Sequence, residues 1–244
     1  MMNITGNVFM ILFGVFFPLI MSVLFANVIG RQIPVSLQMD FRTSIFLSMM
    51  MIIPMATTFI GYAATYSQEI ENNIPLRFDL FGIRKHTFLA AKLLANLVFL
   101  LASTAIYFAV DLSLIKIYTP HAGAVLLVIF IIILLGAILL VIAHSIANIT
   151  GKFSRTYAIT MFLYFGLMIL CGMMGVQVSD FPSSIQKIAK LLPMTYMGTD
   201  SGFLTIWKGE SYNPVNFILS FVFLAAVAAA LFLISLWKNR RRNK

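Results

Sequence analysis

Charge is scarce in this sequence. Asp, Glu, Lys and Arg together make 10% of its 244 residues, where a soluble domain carries about 25%. With 61% hydrophobic residues and a mean hydropathy of +0.97, a water-soluble fold would lack the polar surface to cover its own core. Cysteine is nearly absent as well. Cys171 stands alone inside an apolar run, which excludes an intrachain disulfide. Histidine is limited to His86, His121 and His144, dispersed and outside any His-Glu-x-x-His pattern, so metal-dependent hydrolysis finds no site. The Gly-x-Ser-x-Gly elbow of a serine hydrolase is missing. So is the phosphate loop: Gly151-Lys152 is followed by Phe153 and lacks the preceding glycine. No catalytic, cofactor or metal site is assigned to this chain. If ATP and magnesium power it, another chain binds them.

What the sequence does have is apolar runs of about 20 residues, the length that crosses the hydrocarbon at 1.5 Å per residue. There are six: Val8 to Ile29, Ile45 to Thr65, Leu93 to Val110, Ala124 to Ala147, Ala158 to Met174 and Val215 to Trp237. They are apolar all round, whereas the strands of a transmembrane barrel alternate residue by residue. The expected fold class is an all-α polytopic membrane protein, a single transmembrane domain over residues 1–244. The first run is too long for a cleaved signal, and no basic stretch precedes it, so it is expected to remain as an anchor.

The net charge of +9 does not imply nucleic acid, because the basic residues are dispersed and no nucleic-acid motif accompanies them. They act instead as orientation signals. The connections between runs two and three and between four and five, with the segment after run six, hold 11 Lys and Arg, ending in Lys238, Arg240, Arg241, Arg242 and Lys244. The opposite side holds six: Arg31, Arg42, Lys116, Lys187, Lys190 and Lys208. The positive-inside rule then puts both termini in the cytoplasm of a multi-pass cell-membrane protein.

Two connections are too long to be turns. In Tyr66 to Lys92, Asn73 can cap a helix, Pro75 suits a first turn and Gly82 is a natural terminator. A short helix from Ile74 to Phe81 is expected, with Ile74, Phe78 and Phe81 on one side and Arg77 and Asp79 elsewhere. A solvated loop with one helical turn is the plainer alternative. In Gly175 to Pro214, Ser184 can cap a helix carrying Ile185, Ile188, Ala189 and Leu192 on one face until Pro193 stops it. Phe203, Leu204, Ile206 and Trp207 form a second apolar stretch. Both read as interfacial or re-entrant helices closing the outer mouth, with a disordered loop as the alternative.

Within the runs, Gly14, Ser22, Ala26 and Gly30 recur at four-residue spacing with Pro18 in register, a stripe suited to close helix packing or to a dimer seam. Ala225, Ala226, Ala228, Ala229 and Ala230 offer a similar surface in run six. Pro18 and Pro54 should kink runs one and two. Run centres are almost free of ionisable groups, which argues against an ion-coupled secondary transporter. Lys92 and Asp111 at the ends of run three, and His144 near the end of run four, are positioned to reach interfacial water. Methionines and aromatics concentrate in runs two and five. Met51, Met55, Phe59, Tyr62, Met161, Phe162 and Phe165 are candidates for an adaptable substrate path, or for ordinary bundle filling.

These parts resemble the membrane subunit of the type-2 ABC transporter permease family over nearly the whole chain. The resemblance rests on six runs, the first with Phe16-Phe17-Pro18-Leu19, and on a long segment between runs five and six. It rests most on Gln68-Glu69-Ile70-Glu71-Asn72-Asn73 leading to Ala90-Ala91-Lys92, similar to the family's acidic pair, short helix and closing lysine. Leu192-Pro193-Met194-Thr195-Tyr196 resembles its re-entrant pair before run six. Asn72-Asn73 stands where many relatives have glycine, and of the family's basic amphipathic helix before run one only Met1 to Asn7 is left.

The resemblance implies that Ile74, Phe78 and Phe81 dock on a separate ABC ATPase subunit, with Glu69, Glu71 and Asn73 holding the coupling element. It implies a second permease chain, identical or paralogous, and export of a drug, antimicrobial peptide or peptide toxin across the bilayer. A polysaccharide or lipid-linked substrate is the alternative within the family. The chain itself would not be an enzyme.

Overall fold

The computed structural model describes residues 8–82, 84–174, 177–198 and 202–242. Met1 to Asn7 and Lys244 lie outside the described residues. Among those described there is helix and turn and no strand, with six helices long and apolar enough to cross a membrane. Span one covers residues 8–32, span two Val35–Glu71, span three Lys85–Leu114, span four Ala122–Thr150, span five Phe153–Leu170 and span six Val215–Arg242. Each of the six runs seen in the sequence is thus a helix. Most extend past their apolar runs, because a helix keeps its backbone satisfied beyond the hydrocarbon as well as within it. The largest extension is span two, which adds Val35 to Ser44 before Ile45 and continues to Glu71. Span five instead starts at Phe153 and stops at Leu170, where Cys171 and Gly172 turn the chain and Gly172 takes a positive φ of 76°.

Span two is the axis of the bundle. Its apolar window is wholly buried inside the molecule, whereas the corresponding windows of the other spans are between about a fifth and two fifths buried. Spans one, three, four and five pack around it, and span six lies mainly along span four. Near Pro54 the α-helix is interrupted at Met51 and continues after Pro54 as a π-helical stretch, Met55–Gly61. Pro54 removes one backbone donor, and the Thr57 and Thr58 hydroxyls donate to the carbonyls of Ile53 (2.8 Å) and Pro54 (2.7 Å) across the distortion.

The stripe in span one is spent on packing within the chain. Gly14, Pro18, Ser22, Ala26 and Gly30 are all buried, while Phe16, Ile20, Leu24 and Val28 face outward. A four-residue period drifts about 40° per step on a 3.6-residue helix. Here the π turns Leu12–Phe16 and Phe25–Ile29 widen the helix and hold the stripe on one face. In span six only Ala228 of the five alanines is buried.

At the upper end of the bundle, the segments between spans five and six fold into short helices, Ser183–Ala189 and Phe203–Lys208, and a 3-10 turn, Pro193–Met197. The first helix begins on Pro182 without a side-chain cap, so Ser184 is not its cap. Gln186 reaches back to the Phe181 carbonyl (2.8 Å) instead. Ala189 and Leu192 face inward, but Ile185 and Ile188 are exposed. Phe203 and Trp207 plug the bundle; the Trp207 indole N–H donates to the Tyr118 carbonyl at 2.9 Å, and its ring lies 5.8 Å from that of Phe46. Lys208 pairs with Asp40 at 2.6 Å. Desolvation works against the Lys208 charge, yet the Asp40 hydrogen bond and charge outweigh it, and the ammonium pKa is raised.

Close packing between spans one and two makes a sharp expectation. A Cβ added at Gly14 would sit 2.7 Å from the Thr57 methyl, whereas one at Gly166 would meet nothing within 4 Å. Gly14→Val should therefore lower stability by about 1–3 kcal/mol, read as a fall in the unfolding midpoint of the detergent-purified chain. Gly166→Val should leave the midpoint unchanged, and equal effects would contradict the packing described here.

Candidate functional site

The lower end of the bundle gathers the groups to which the family resemblance assigns a coupling role. Span two ends with its last turn bonded Asn72 N–H to Gln68 carbonyl (3.0 Å) and Asn73 N–H to Ile70 carbonyl (3.1 Å). Asn73 adopts a left-handed φ of 55°, a conformation that asparagine tolerates better than most side chains. Its own carbonyl then accepts from Arg77 N–H at 3.1 Å and opens a short helix, Ile74–Leu80. Asn73 thus acts through its backbone, joining two helices in one tight turn. Gly82, with φ of 80°, ends the segment.

Two carboxylates fasten this turn to the bundle. Glu69 is buried and ion-paired with buried Lys92, near the start of span three on the far side of the short helix. The Lys92 ammonium also lies over the rings of Tyr66 (5.2 Å) and Tyr62 (5.6 Å). Tyr62 is hydrogen-bonded to His144 at 2.9 Å, and Tyr66 stacks on the same imidazole at 4.7 Å. Lys92 is therefore not a group reaching for interfacial water, and half-buried His144 is engaged by the two tyrosines. Lys92 and His144 close a polar cluster joining spans two, three and four. Glu71, exposed, accepts the Phe153 N–H at 2.8 Å and so binds the free first turn of span five, where the helix dipole favours an anion. Lys238 at the end of span six donates to the Ile149 carbonyl at 2.7 Å.

The short helix itself is seated by one face and open on the other. Ile74 is half-buried and Phe78 packs its ring 5.2 Å from that of Phe88. Leu76, Leu80 (81% exposed) and Phe81 (83%) project away from the bundle. Of the three apolar residues expected on one side, only Phe81 is fully open. Leu76 and Leu80 were not singled out, although their four-residue spacing was the available signal.

The candidate path residues fall into two environments. Met51, Met55, Phe59 and Tyr62 are each no more than 1% exposed, enclosed in the core around span two. Met161 is half-buried, while Phe162 (79% exposed) and Phe165 lie on the outer face of span five. Span five turns Thr156, Thr160, Tyr164 and Met168 inward instead. Within one chain the structure does not bring the two groups to a common surface.

Residues 33–237, most of the chain, match the family described as ABC-2 family transporter protein. The chain belongs to that family and is a membrane permease of an ABC transporter. No curated protein and no solved structure matches it.

The buried pair yields a double-mutant test. Lys92→Met alone leaves Glu69 buried and unpaired, which should cost about 3–5 kcal/mol. Adding Glu69→Leu removes the orphan charge and should recover most of that loss in thermal unfolding of the purified chain. Additive losses would show that the two side chains do not act as a pair.

Proposed function

We propose that this permease is the transmembrane half of an ATP-driven exporter, in which two permease chains, identical or paralogous, stand over two separate ABC ATPase subunits that bind ATP and magnesium. Both termini and the Ile74–Leu80 helix face the cytoplasm in the cell membrane. The observation that carries this reading is the short helix, anchored on either side by Glu69–Lys92 and Glu71–Phe153 yet presenting Leu76, Leu80 and Phe81 to the exterior. Aliphatic and aromatic side chains at that exposure gain roughly 1.5–3 kcal/mol each when buried against a partner. A helix that is rigidly rooted and apolar at its tip suits a groove on another protein.

ATP-driven closure of the ATPases would pull on this helix. Because the two carboxylates bridge it to spans three and five, the motion would reach the spans as a rigid displacement. Glu69, Glu71 and Asn73 are the positioning groups in this scheme, and Ile74 and Phe78 seat the helix on its own bundle. The path for substrate runs along span five, where Phe162 and Phe165 are open, and reaches Met51, Met55, Phe59, Tyr62 and Met161 only when the helices around span two part. Such an apolar, methionine-bearing route fits an amphipathic drug, an antimicrobial peptide or a peptide toxin.

Leu80→Ala combined with Phe81→Ala removes the exposed tip while leaving Phe78 on Phe88. Affinity for the ATPase in a pull-down should then fall roughly a hundredfold if about 3 kcal/mol of burial is lost, and stimulated ATP hydrolysis should fall with it, with the unfolding midpoint of the permease unchanged. Full complex formation and export by this variant would remove the coupling role from the segment.

A further inference from the structure

Span three carries a polar stripe that neither the sequence reading nor the coupling scheme uses. Lys92, Asn96, Ser103, Tyr107 and Asp111 are all buried, at spacings of four or seven residues that keep them on one helical face. The stripe runs through about 28 Å of helix. Its lower end is neutralised by the Glu69–Lys92 pair. The upper end is not.

Asp111 is 0% exposed, and neither of its carboxylate oxygens has a hydrogen-bond partner. It was expected to reach interfacial water; the packing of spans one and two against span three prevents this. The hydroxyls of Ser22 and Tyr107 lie against it. The Tyr107 proton, however, is directed to the Phe46 carbonyl (2.9 Å) and to Ser22 Oγ (3.1 Å). No protein cation stands at ion-pair distance from Asp111 among the described residues. A fully buried carboxylate with hydroxyls beside it but no counter-charge is a costly arrangement in a protein interior.

What converges there is a set of oxygens: the Asp111 carboxylate, Ser22 Oγ from span one, Tyr107 Oη from span three and the Phe46 carbonyl from span two. Hard oxygen ligands select hard cations. A single negative charge among neutral oxygens balances one positive charge, whereas a divalent ion would leave the buried site charged. Asp111 is also within one helical turn of the end of span three at Leu114, so the route from the upper surface is about 5 Å along the helix.

We propose that Asp111, Ser22, Tyr107 and the Phe46 carbonyl form a binding site for a monovalent cation of the sodium class at the junction of spans one, two and three. The ion supplies the missing counter-charge and ties three helices together at the end of the bundle opposite the short Ile74–Leu80 helix. The site is independent of any ATPase, so it is tested on the permease alone.

The full-length chain in lipid nanodiscs is assayed for binding of radiolabelled Na+ and for its unfolding midpoint in NaCl and in choline chloride at matched ionic strength. Binding should be saturable, competed by Li+ and not by choline, and NaCl should raise the midpoint. Asp111→Asn, which keeps shape and removes charge, should abolish both responses while remaining folded. Ser22→Ala should weaken binding about tenfold, as expected for one lost polar ligand, and serves if the asparagine variant does not fold. The proposal is overturned if the wild-type chain binds no Na+ saturably, or if Asp111→Asn retains the response. It is equally overturned if the midpoint follows pH identically in both salts, since a proton alone would then neutralise Asp111.

Discussion

A helix whose apolar stretch is wholly buried must be wrapped by protein over that stretch, and in this molecule that helix is span two. Its 37 residues run from the Asp40–Lys208 pair at one end to Glu69 and Glu71 at the other. Small residues of span one make the approach close, and Pro54 with the threonine back-bonds marks a π-helical stretch where they meet. Glu69, Glu71, Met51, Met55, Phe59 and Tyr62 all lie on span two, and Lys92 is paired to it.

Polar groups inside an apolar bundle are expensive, and the two ends meet that cost differently. At the lower end Glu69 finds Lys92, and aromatic rings surround the ammonium. Their pairing fixes where the chain leaves span two and enters span three, and with it the seat of the Ile74–Leu80 helix. At the upper end Asp111 sits beside the Ser22 and Tyr107 hydroxyls, with no cation paired to it. The contrast is one of chemistry rather than of depth, since both carboxylates lie within about a turn of a helix terminus.

The architecture was legible in the sequence because a bilayer demands long uninterrupted apolar helices, and each of the six runs became one. The short helix was also legible, through Pro75, Gly82 and the apolar spacing between them. Its working face was not. Ile74 is half-buried, and Phe78, still partly exposed, rests its ring on Phe88 of span three, a contact about ten residues away in sequence that helical periodicity alone does not reveal. Likewise Asn73 looked like a side-chain cap, while the turn requires its left-handed backbone instead. Lys92 and Asp111 looked like interfacial anchors from their positions near run ends. Only packing against spans one and two shows that their side chains are enclosed, although the recurrence of Lys92, Asn96, Ser103, Tyr107 and Asp111 on one face was present in the sequence. The candidate path residues could not be sorted by sequence, since a methionine facing a core and one facing a substrate obey the same spacing.

The account turns on the exposed tip of the Ile74–Leu80 helix lying against a cytoplasmic ATPase. Site-specific cross-linking in membranes measures this most directly: a cysteine at Leu80, with Cys171 replaced by serine, is treated with a short bifunctional thiol reagent in the presence of a cysteine-bearing ATPase partner. The account predicts a permease–ATPase product from position 80 and none from a cysteine at Lys187, on the opposite end of the bundle. Cross-linking from Lys187 with none from Leu80 would contradict it.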